Sequence, residues 1–284
     1  MATTLHLRPP ATARYAATLS WEAYAGGDYQ LTTIGREVTL TVQPSGAGLA
    51  VEFAAGPPTL TKNQDPEPLE EFALRLAALY KRVRVQVAPT GELLALLNHE
   101  ELLQNSRPLL AEMRAATLAD DQVTPTLLDF AERQLRSPDS ILGSLQQDYL
   151  YQTLLPGFYN RPLDNQTARP RQFVNFFDKT PLWFAEQATV LPDPATGQLR
   201  VRLHGALDRQ QTNLDAVQAH LAAALQLAAP SGAAPEALPT PHFHYEATYT
   251  LAAATGLPQQ AALTVYVRAG QLVNKEYNLT LTQL

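Results

Sequence analysis

Two-residue alternation of apolar and polar side chains is the dominant pattern of this chain, and it restricts long stretches to β-strands with one buried face. In the first such stretch, residues 14–24, the apolar set is Tyr15, Ala17, Leu19, Trp21 and Ala23. Two further alternating stretches follow at 37–43 and 49–53, separated by Gly- and Pro-containing turns. Three strands joined by short turns predict an antiparallel meander.

The same pattern returns after a helix and again in the C-terminal half. The predicted strands are 82–87, 93–97, 173–177, 182–191, 199–206, 242–252, 261–268 and 272–281. One amphipathic helix is predicted at 213–228, where apolar residues recur every three or four positions. Strands and helices do not alternate regularly, which disfavours a Rossmann or TIM architecture.

The middle of the chain is predicted to be helical. The pattern Asn98-x-x-Glu101 is typical of a capping box, and further helices are expected near 125–136 and 138–150. We therefore predict an α+β fold in which helices cover one face of a curved, mostly antiparallel sheet of about nine or ten strands. The expected units are 1–97, a helical insertion at 98–156, and 157–284 with the strands that complete the sheet.

Composition excludes several classes of function. The 284 residues include no Cys, which excludes thiol nucleophiles, disulfide frameworks and Cys-ligated zinc. A net charge of -6 argues against a nucleic-acid binder. No apolar run reaches the length of a membrane span, and the N-terminal residues do not resemble a signal peptide. The expected location is cytoplasmic, or exported with a leader absent from this chain.

Motifs for covalent catalysis and phosphate binding are missing from the sequence. There is no Gly-x-Ser-x-Gly elbow, no P-loop and no Gly-x-Gly-x-x-Gly. These absences weaken the case for an enzyme, and no cofactor is expected.

A candidate metal site lies at the start of a predicted strand. His242, His244 and Glu246 share one side of that strand, and two imidazoles with a carboxylate can ligate zinc or iron. Alternatively, this row is the solvent face of an amphipathic strand whose other face carries Phe243 and Tyr245. A third interpretation is a wall facing a ligand cavity.

Aromatic and arginine residues are concentrated between positions 158 and 184. Seven aromatic side chains occur there, interleaved with Arg161, Arg169 and Arg171. This mixture suits stacking on a base or recognition of a partner surface. The competing interpretation places the aromatic residues in the core and the arginines on its solvent side.

Two Thr-Gly hairpins carry a resemblance to known proteins. Residues 83–98 read VRVQVAPTGELLALLN and residues 249–264 read YTLAAATGLPQQAALT. Both are similar to hairpins of uncharacterised β-rich envelope proteins of Bacteroidota. The order of elements resembles the half-barrel of lipoprotein carriers, which implies helices covering a curved sheet and brings no catalytic residues.

Together these features favour a non-enzymatic binding protein with a hydrophobic groove between sheet and helices. An apolar ligand or a segment of a protein partner would bind there, against Trp21, Phe53, Phe177 and Trp183, with Leu40 and Val85 alongside. A structural component that assembles through sheet edges and the Pro-rich segment 230–241, with partners or a second copy, is the alternative. A metal-dependent enzyme using His242, His244 and Glu246 is the second alternative. No nucleic acid and no membrane span are expected.

Overall fold

The structure is a computed structural model that describes residues 3–46, 48–63, 68–117, 123–164, 167–177, 180–192, 198–228 and 238–284. Its strands, in chain order, are β1 Thr3–Thr4, β2 Ala11–Ala25, β3 Asp28–Ser45, β4 Gly48–Ala55, β5 Thr59–Lys62, β6 Arg82–Val87, β7 Leu93–Leu96, β8 Pro162–Leu163, β9 Arg169–Phe177, β10 Thr180–Pro192, β11 Leu199–Leu207, β12 His242–Leu251, β13 Pro258–Ala269 and β14 Val273–Gln283. Its helices are α1 Pro68–Ala77, α2 His99–Ala115, α3 Val123–Leu135, α4 Pro138–Gln147, α5 Tyr149–Leu154 and α6 Leu214–Ala228, with a 3₁₀ turn at Ala78–Tyr80.

One open antiparallel sheet dominates the fold, as predicted. Its strand order is β7-β6-β4-β3-β2-β14-β13-β12-β11-β10-β9, and the N- and C-terminal strands meet where β2 pairs with β14. The sheet has twelve strands rather than nine or ten. Part of the difference is β5, a four-residue strand that is not among the predicted strands. It pairs with the end of β3 that β4 does not reach.

The two faces of the sheet differ in character. The inner face carries the buried apolar rows, including Tyr15, Leu40, Val265 and Leu279, and the helices pack against it. The outer face is polar and carries cross-strand ion pairs such as Arg14–Glu37 and Arg202–Glu246. The residues that alternate in sequence therefore divide between a core and solvent, as expected for an antiparallel sheet covered on one side.

Asn98 precedes α2, but the predicted capping box is wrong. The side chain of Asn98 makes no capping bond to the helix. Its Oδ1 instead accepts the backbone N–H of Arg84 at 2.9 Å, and its Nδ2 donates to the carbonyl of Arg82 at 3.1 Å. Asn98 thus ties the start of the helical segment to β6, a long-range role that local spacing does not predict.

The helix predicted at 138–150 is two helices, and the break positions the candidate site. Ser137 caps α4 through a bond from the N–H of Ser140. The chain becomes extended at Asp148, whose carboxylate accepts the N–H groups of Leu150 and Tyr151 and caps α5. We call residues 147–150 the elbow.

A short N-terminal segment gathers several turns at one end of the sheet. The N–H of Arg8 donates to Thr255, and the N–H of Asn160 donates to Leu5. Tyr159 is fully buried there and contacts both Thr-Gly turns: its N–H donates to Thr90 at 3.2 Å and its hydroxyl to the carbonyl of Gly256 at 3.0 Å. Tyr159 therefore hydrogen-bonds to both of the Thr-Gly hairpins described in the sequence analysis.

Within the described residues, none of the helices combines the length and hydrophobicity needed to cross a bilayer. The division into units at 97/98 and 156/157 stays a prediction.

Candidate functional site

A groove of about 590 Å³ opens between the inner face of the sheet and the helices. Its floor comes from β2, β3 and β14, and its walls come from α1, β5, the elbow and β9. Most of the lining is apolar: Leu19, Trp21, Ile34, Leu60, Leu74, Leu150, Val174 and Tyr277. A cleft of this size and chemistry is typical of sites for small apolar molecules.

The groove exists because the helices cover only part of the inner face. Along β2, Tyr15 and Ala17 are almost inaccessible, whereas Leu19 is only partly buried and Trp21 is 37% exposed. The inner-face residues of β3 that lie opposite, including Ile34, are likewise only partly buried. The apolar row of β2 therefore begins in the closed core and ends in the open groove, and apolar and polar residues alternate in the same way along both parts.

Three aromatic rings lie in series from the groove floor to its wall at the elbow. The ring of Trp21 lies 5.3 Å from that of Tyr277, and the ring of Tyr277 lies 4.4 Å from that of Tyr149, both in edge-to-face geometry. The hydroxyl of Tyr149 donates to the carbonyl of Val174 at 2.6 Å. These contacts hold the rings in place and present Trp21 to solvent as an apolar surface.

The hydroxyl of Tyr277 is the unusual polar group of the groove. It is buried and has no hydrogen-bond partner among the described residues. Burial raises the pKa of Tyr277 well above its ordinary value, and electrostatic interactions with Asp148 and Tyr149 act in the same direction. The group therefore remains a neutral hydrogen-bond donor, and a buried hydroxyl without a partner is costly unless something else supplies one.

The charged groups of the groove balance one another. Asp148 and Arg36 both line it and interact electrostatically, and Glu70 forms an ion pair with Lys62, whose side chain is only 10% exposed. Desolvation raises the pKa of Asp148, although its capping bonds and Arg36 act in the opposite direction. Asp148 borders the groove, and the residue as a whole is exposed.

The raised pKa of Asp148 gives a prediction for stability. The folded protein binds its proton more tightly than the unfolded chain does, so ionisation of this group destabilises the fold above its folded-state pKa and the penalty disappears below about pH 3.8. At pH 7 we expect Asp148→Asn, which retains a capping oxygen, to be at least as stable as the wild type. Asp148→Ala should lose about 1 kcal/mol because the cap is lost.

Urea denaturation at pH 7 and pH 4.5 measures both effects. Any advantage of Asp148→Asn over the wild type should shrink at the lower pH. Equal destabilisation by the Asn and Ala variants at pH 7 would show that the charge of the Asp148 carboxylate does not destabilise the folded protein.

Of the four residues predicted to bind a ligand, Trp21 lies in the groove and the other three do not. Phe53 is buried against Tyr151, with ring centroids 4.7 Å apart. Phe177 is buried against His220 of α6, and the backbone N–H of Trp183 donates to the hydroxyl of Thr212. Leu40 and Val85 are fully buried in the core. The structure therefore does not bring the predicted set together.

The proposed metal ligands lie on the outer face. Glu246 accepts two hydrogen bonds from Arg202, at 2.9 and 3.0 Å, and His244 stacks on Tyr266 at 4.7 Å. His242 is exposed. Among the described residues, no group of three or more His, Asp or Glu side chains is placed to hold a metal ion. The metal site stays a prediction, as does assembly through segment 230–241, most of which lies outside the described residues.

Sequence reasoning did not identify Asp148, Tyr149 and Tyr277 as groove residues. Tyr277 carried a usable signal, since it is the polar-tipped member of the apolar row of β14. Asp148 was hidden because the helical pattern continues on both sides of it. Its capping role becomes apparent only when the helix is broken there.

Comparisons with known proteins reveal distant structural likeness and no family. No family model and no curated protein matches this sequence. A structure of lipovitellin, described for its lipid–protein interactions, aligns at 10% identity and a TM-score of 0.44, covering 98% of this chain and 25% of lipovitellin. DynF from the dynemicin biosynthesis pathway of Micromonospora chersina aligns at 8% identity and a TM-score of 0.22, covering 99% of this chain and 84% of DynF. The chain thus spans about a quarter of lipovitellin, and the resemblance to Bacteroidota envelope proteins stays a prediction.

Proposed function

We propose that this protein binds a neutral lipid-like molecule, an alkyl or acyl chain that carries a hydrogen-bond acceptor, in the groove. The observation that carries the proposal is the exposed ring of Trp21, which lies 5.3 Å from the ring of Tyr277 on the floor of an apolar cleft. The hydroxyl of Tyr277 has no partner within the described part of the chain. An apolar chain would cover Trp21, and an acceptor such as an ester carbonyl would complete the hydrogen bonding of Tyr277.

The charges of the groove support a neutral ligand. Because Arg36 faces Asp148 and Lys62 pairs with Glu70, the groove offers no surplus charge for an ionic headgroup. A charged group placed there would be desolvated without a counter-ion, which is unfavourable.

Titration with 1-monodecanoylglycerol below its micelle concentration tests the proposal. The chain has two Trp residues, so Trp183→Phe leaves Trp21 as the only indole and its fluorescence should shift saturably to shorter wavelength. In calorimetry, Trp21→Ala should weaken binding by about 10- to 100-fold because the largest apolar contact is lost. Trp183→Phe should change affinity by less than about twofold, since Trp183 does not line the groove.

A second variant separates binding from folding. Ala73 lines the groove from α1 and its side chain is exposed, so Ala73→Trp should fill the groove and abolish binding with little effect on stability. Undiminished binding in both Trp21→Ala and Ala73→Trp would refute the groove as the binding site. Binding of a protein segment in place of the lipid would refute the ligand class.

A further inference from the structure

A second cavity, of about 630 Å³, lies on the other side of the elbow from the groove. β7 and β9, the two edge strands of the sheet, both contribute to its wall, together with β10 and α4–α5. We refer to it as the arginine cavity because Arg161, Arg169 and Arg171 all line it.

The arginine cavity accounts for the arginines that the sequence pattern singled out. Arg169 and Arg171 alternate with Pro170 on edge strand β9 and pair in register with Glu186 and Phe184 of β10. They share the inner face with Phe173, so the interpretation of Arg169 and Arg171 as solvent-side neighbours is wrong. Both arginines line a half-open cavity whose apolar lining residues include Leu145 and Leu155.

The charges of the arginine cavity do not balance. Three arginines face two carboxylates, Glu92 and Glu186, which leaves a formal surplus of one positive charge. Arg161 pairs with Glu92, and Arg169 donates to the carbonyl of Pro162 at 3.1 Å. The hydroxyl of Tyr245 donates to Glu186 at 2.5 Å, so one of its oxygens already has a partner. Glu186 pairs in register with Arg169 and interacts electrostatically with Arg171, so these two arginines share one carboxylate and carry the surplus charge.

The guanidinium of Arg171 has a buried atom without a hydrogen-bond partner in the residues that the structure describes. Its Nε is buried without a hydrogen-bond partner among the described residues, and its Cζ lies 5.5 Å from the ring centroid of Phe173. Arg171 is half-buried and lines the cavity. Gln152, another lining residue, also has a buried oxygen without a partner within the described part of the chain. Buried polar groups are normally hydrogen-bonded, so these two atoms on cavity-lining residues are exceptions within the described part of the chain.

We propose that the arginine cavity is a second binding site, which takes a monoanionic carboxylate carrying an apolar chain. The carboxylate would accept charge-assisted hydrogen bonds from Arg171 and neutralise the surplus charge. The chain would pack against Leu145, Leu155 and Phe158. This site differs from the groove in its lining residues and in its preference for charge.

Octanoate and octanol, which share a chain and differ in charge, provide the probes. Calorimetry at pH 7.5 in the Ala73→Trp background, where the groove is filled, should show octanoate binding about 10- to 100-fold more tightly than octanol. Arg171→Gln should remove most of that preference. Arg202→Gln is the matched control, because Arg202 lies on the outer face and pairs with Glu246.

A further variant tests the charge balance independently of folding. Glu186→Gln raises the formal surplus of the cavity by one charge and keeps an acceptor for Tyr245, so octanoate should bind more tightly while octanol is unaffected. Equal affinity for octanoate and octanol in the parent protein would overturn the proposal. So would a preference that survives Arg171→Gln, or weaker octanoate binding in Glu186→Gln. None of these results bears on the groove, which the neutral glycerolipid tests separately.

Discussion

Replacing Gly256 by Ala is expected to lower the free energy of unfolding by about 2–6 kcal/mol, which combines a backbone penalty and a steric penalty of about 1–3 kcal/mol each. Gly256 adopts a φ of 75°, a backbone conformation that residues other than glycine rarely adopt. A Cβ built there would lie 2.1 Å from the carbonyl oxygen of His6. Because the obstacle is backbone, relief requires the N-terminal segment to move.

Displacement of that segment would disturb more than one contact. The carbonyl of Gly256 accepts the hydroxyl of Tyr159, and Tyr159 in turn bonds to Thr90 in the other Thr-Gly hairpin. The substitution therefore loosens the junction of two hairpins rather than a single turn. Urea denaturation followed by tryptophan fluorescence provides the free energy of unfolding.

Gly143→Ala is the matched control for this substitution. Gly143 lies within α4, and a Cβ there would meet nothing within 4 Å. Alanine is the better helix former by about 1 kcal/mol, so this variant should be more stable than the wild type. If the two variants were equally stable, the close approach of the N-terminal segment to the turn would be disproved.

The regular elements of the sheet were predictable because each follows a local rule. Strand β12 was expected at 242–252 and lies at His242–Leu251, since an alternating row of Tyr245, Ala247 and Tyr249 leaves one possible buried face. Helix α6 was expected at 213–228 and lies at Leu214–Ala228 for the corresponding helical reason. Both predictions depended only on neighbours in sequence.

The candidate sites were less predictable because they depend on what the alternation does not encode. Trp21 and Tyr15 occupy equivalent positions in one apolar row, and only the extent of helix cover makes the first a groove residue and the second core. Strand β9 begins at Arg169 rather than at the predicted 173, so Arg171 lies within the strand and shares a face with Phe173. The distinction between core and cavity is set by packing between distant elements, which a single sequence does not specify.

Phe173→Ala is expected to destabilise the fold by about 3–5 kcal/mol, the usual effect of removing a fully buried aromatic ring. Phe173 is inaccessible to solvent and contacts the rings of Tyr149, Phe184 and Tyr245, with centroids 5.5, 5.7 and 4.8 Å away. Its position between Tyr149, which lines the groove, and Arg171, which lines the arginine cavity, makes it part of the partition between the two. The neighbouring strand β10 is hydrogen-bonded on both sides, to β9 and β11, and cannot readily collapse into the space.

Phe130→Ala is the matched control for Phe173→Ala, because it removes the same ring from an exposed position. Phe130 lies on α3 and is 60% exposed, so its removal should change the free energy of unfolding by no more than about 0.5 kcal/mol. Urea denaturation of both variants under one set of conditions gives the comparison. A loss at Phe173 as small as that at Phe130 would mean that the aromatic cluster is not a rigid partition, and that the groove and the arginine cavity are free to merge into one site.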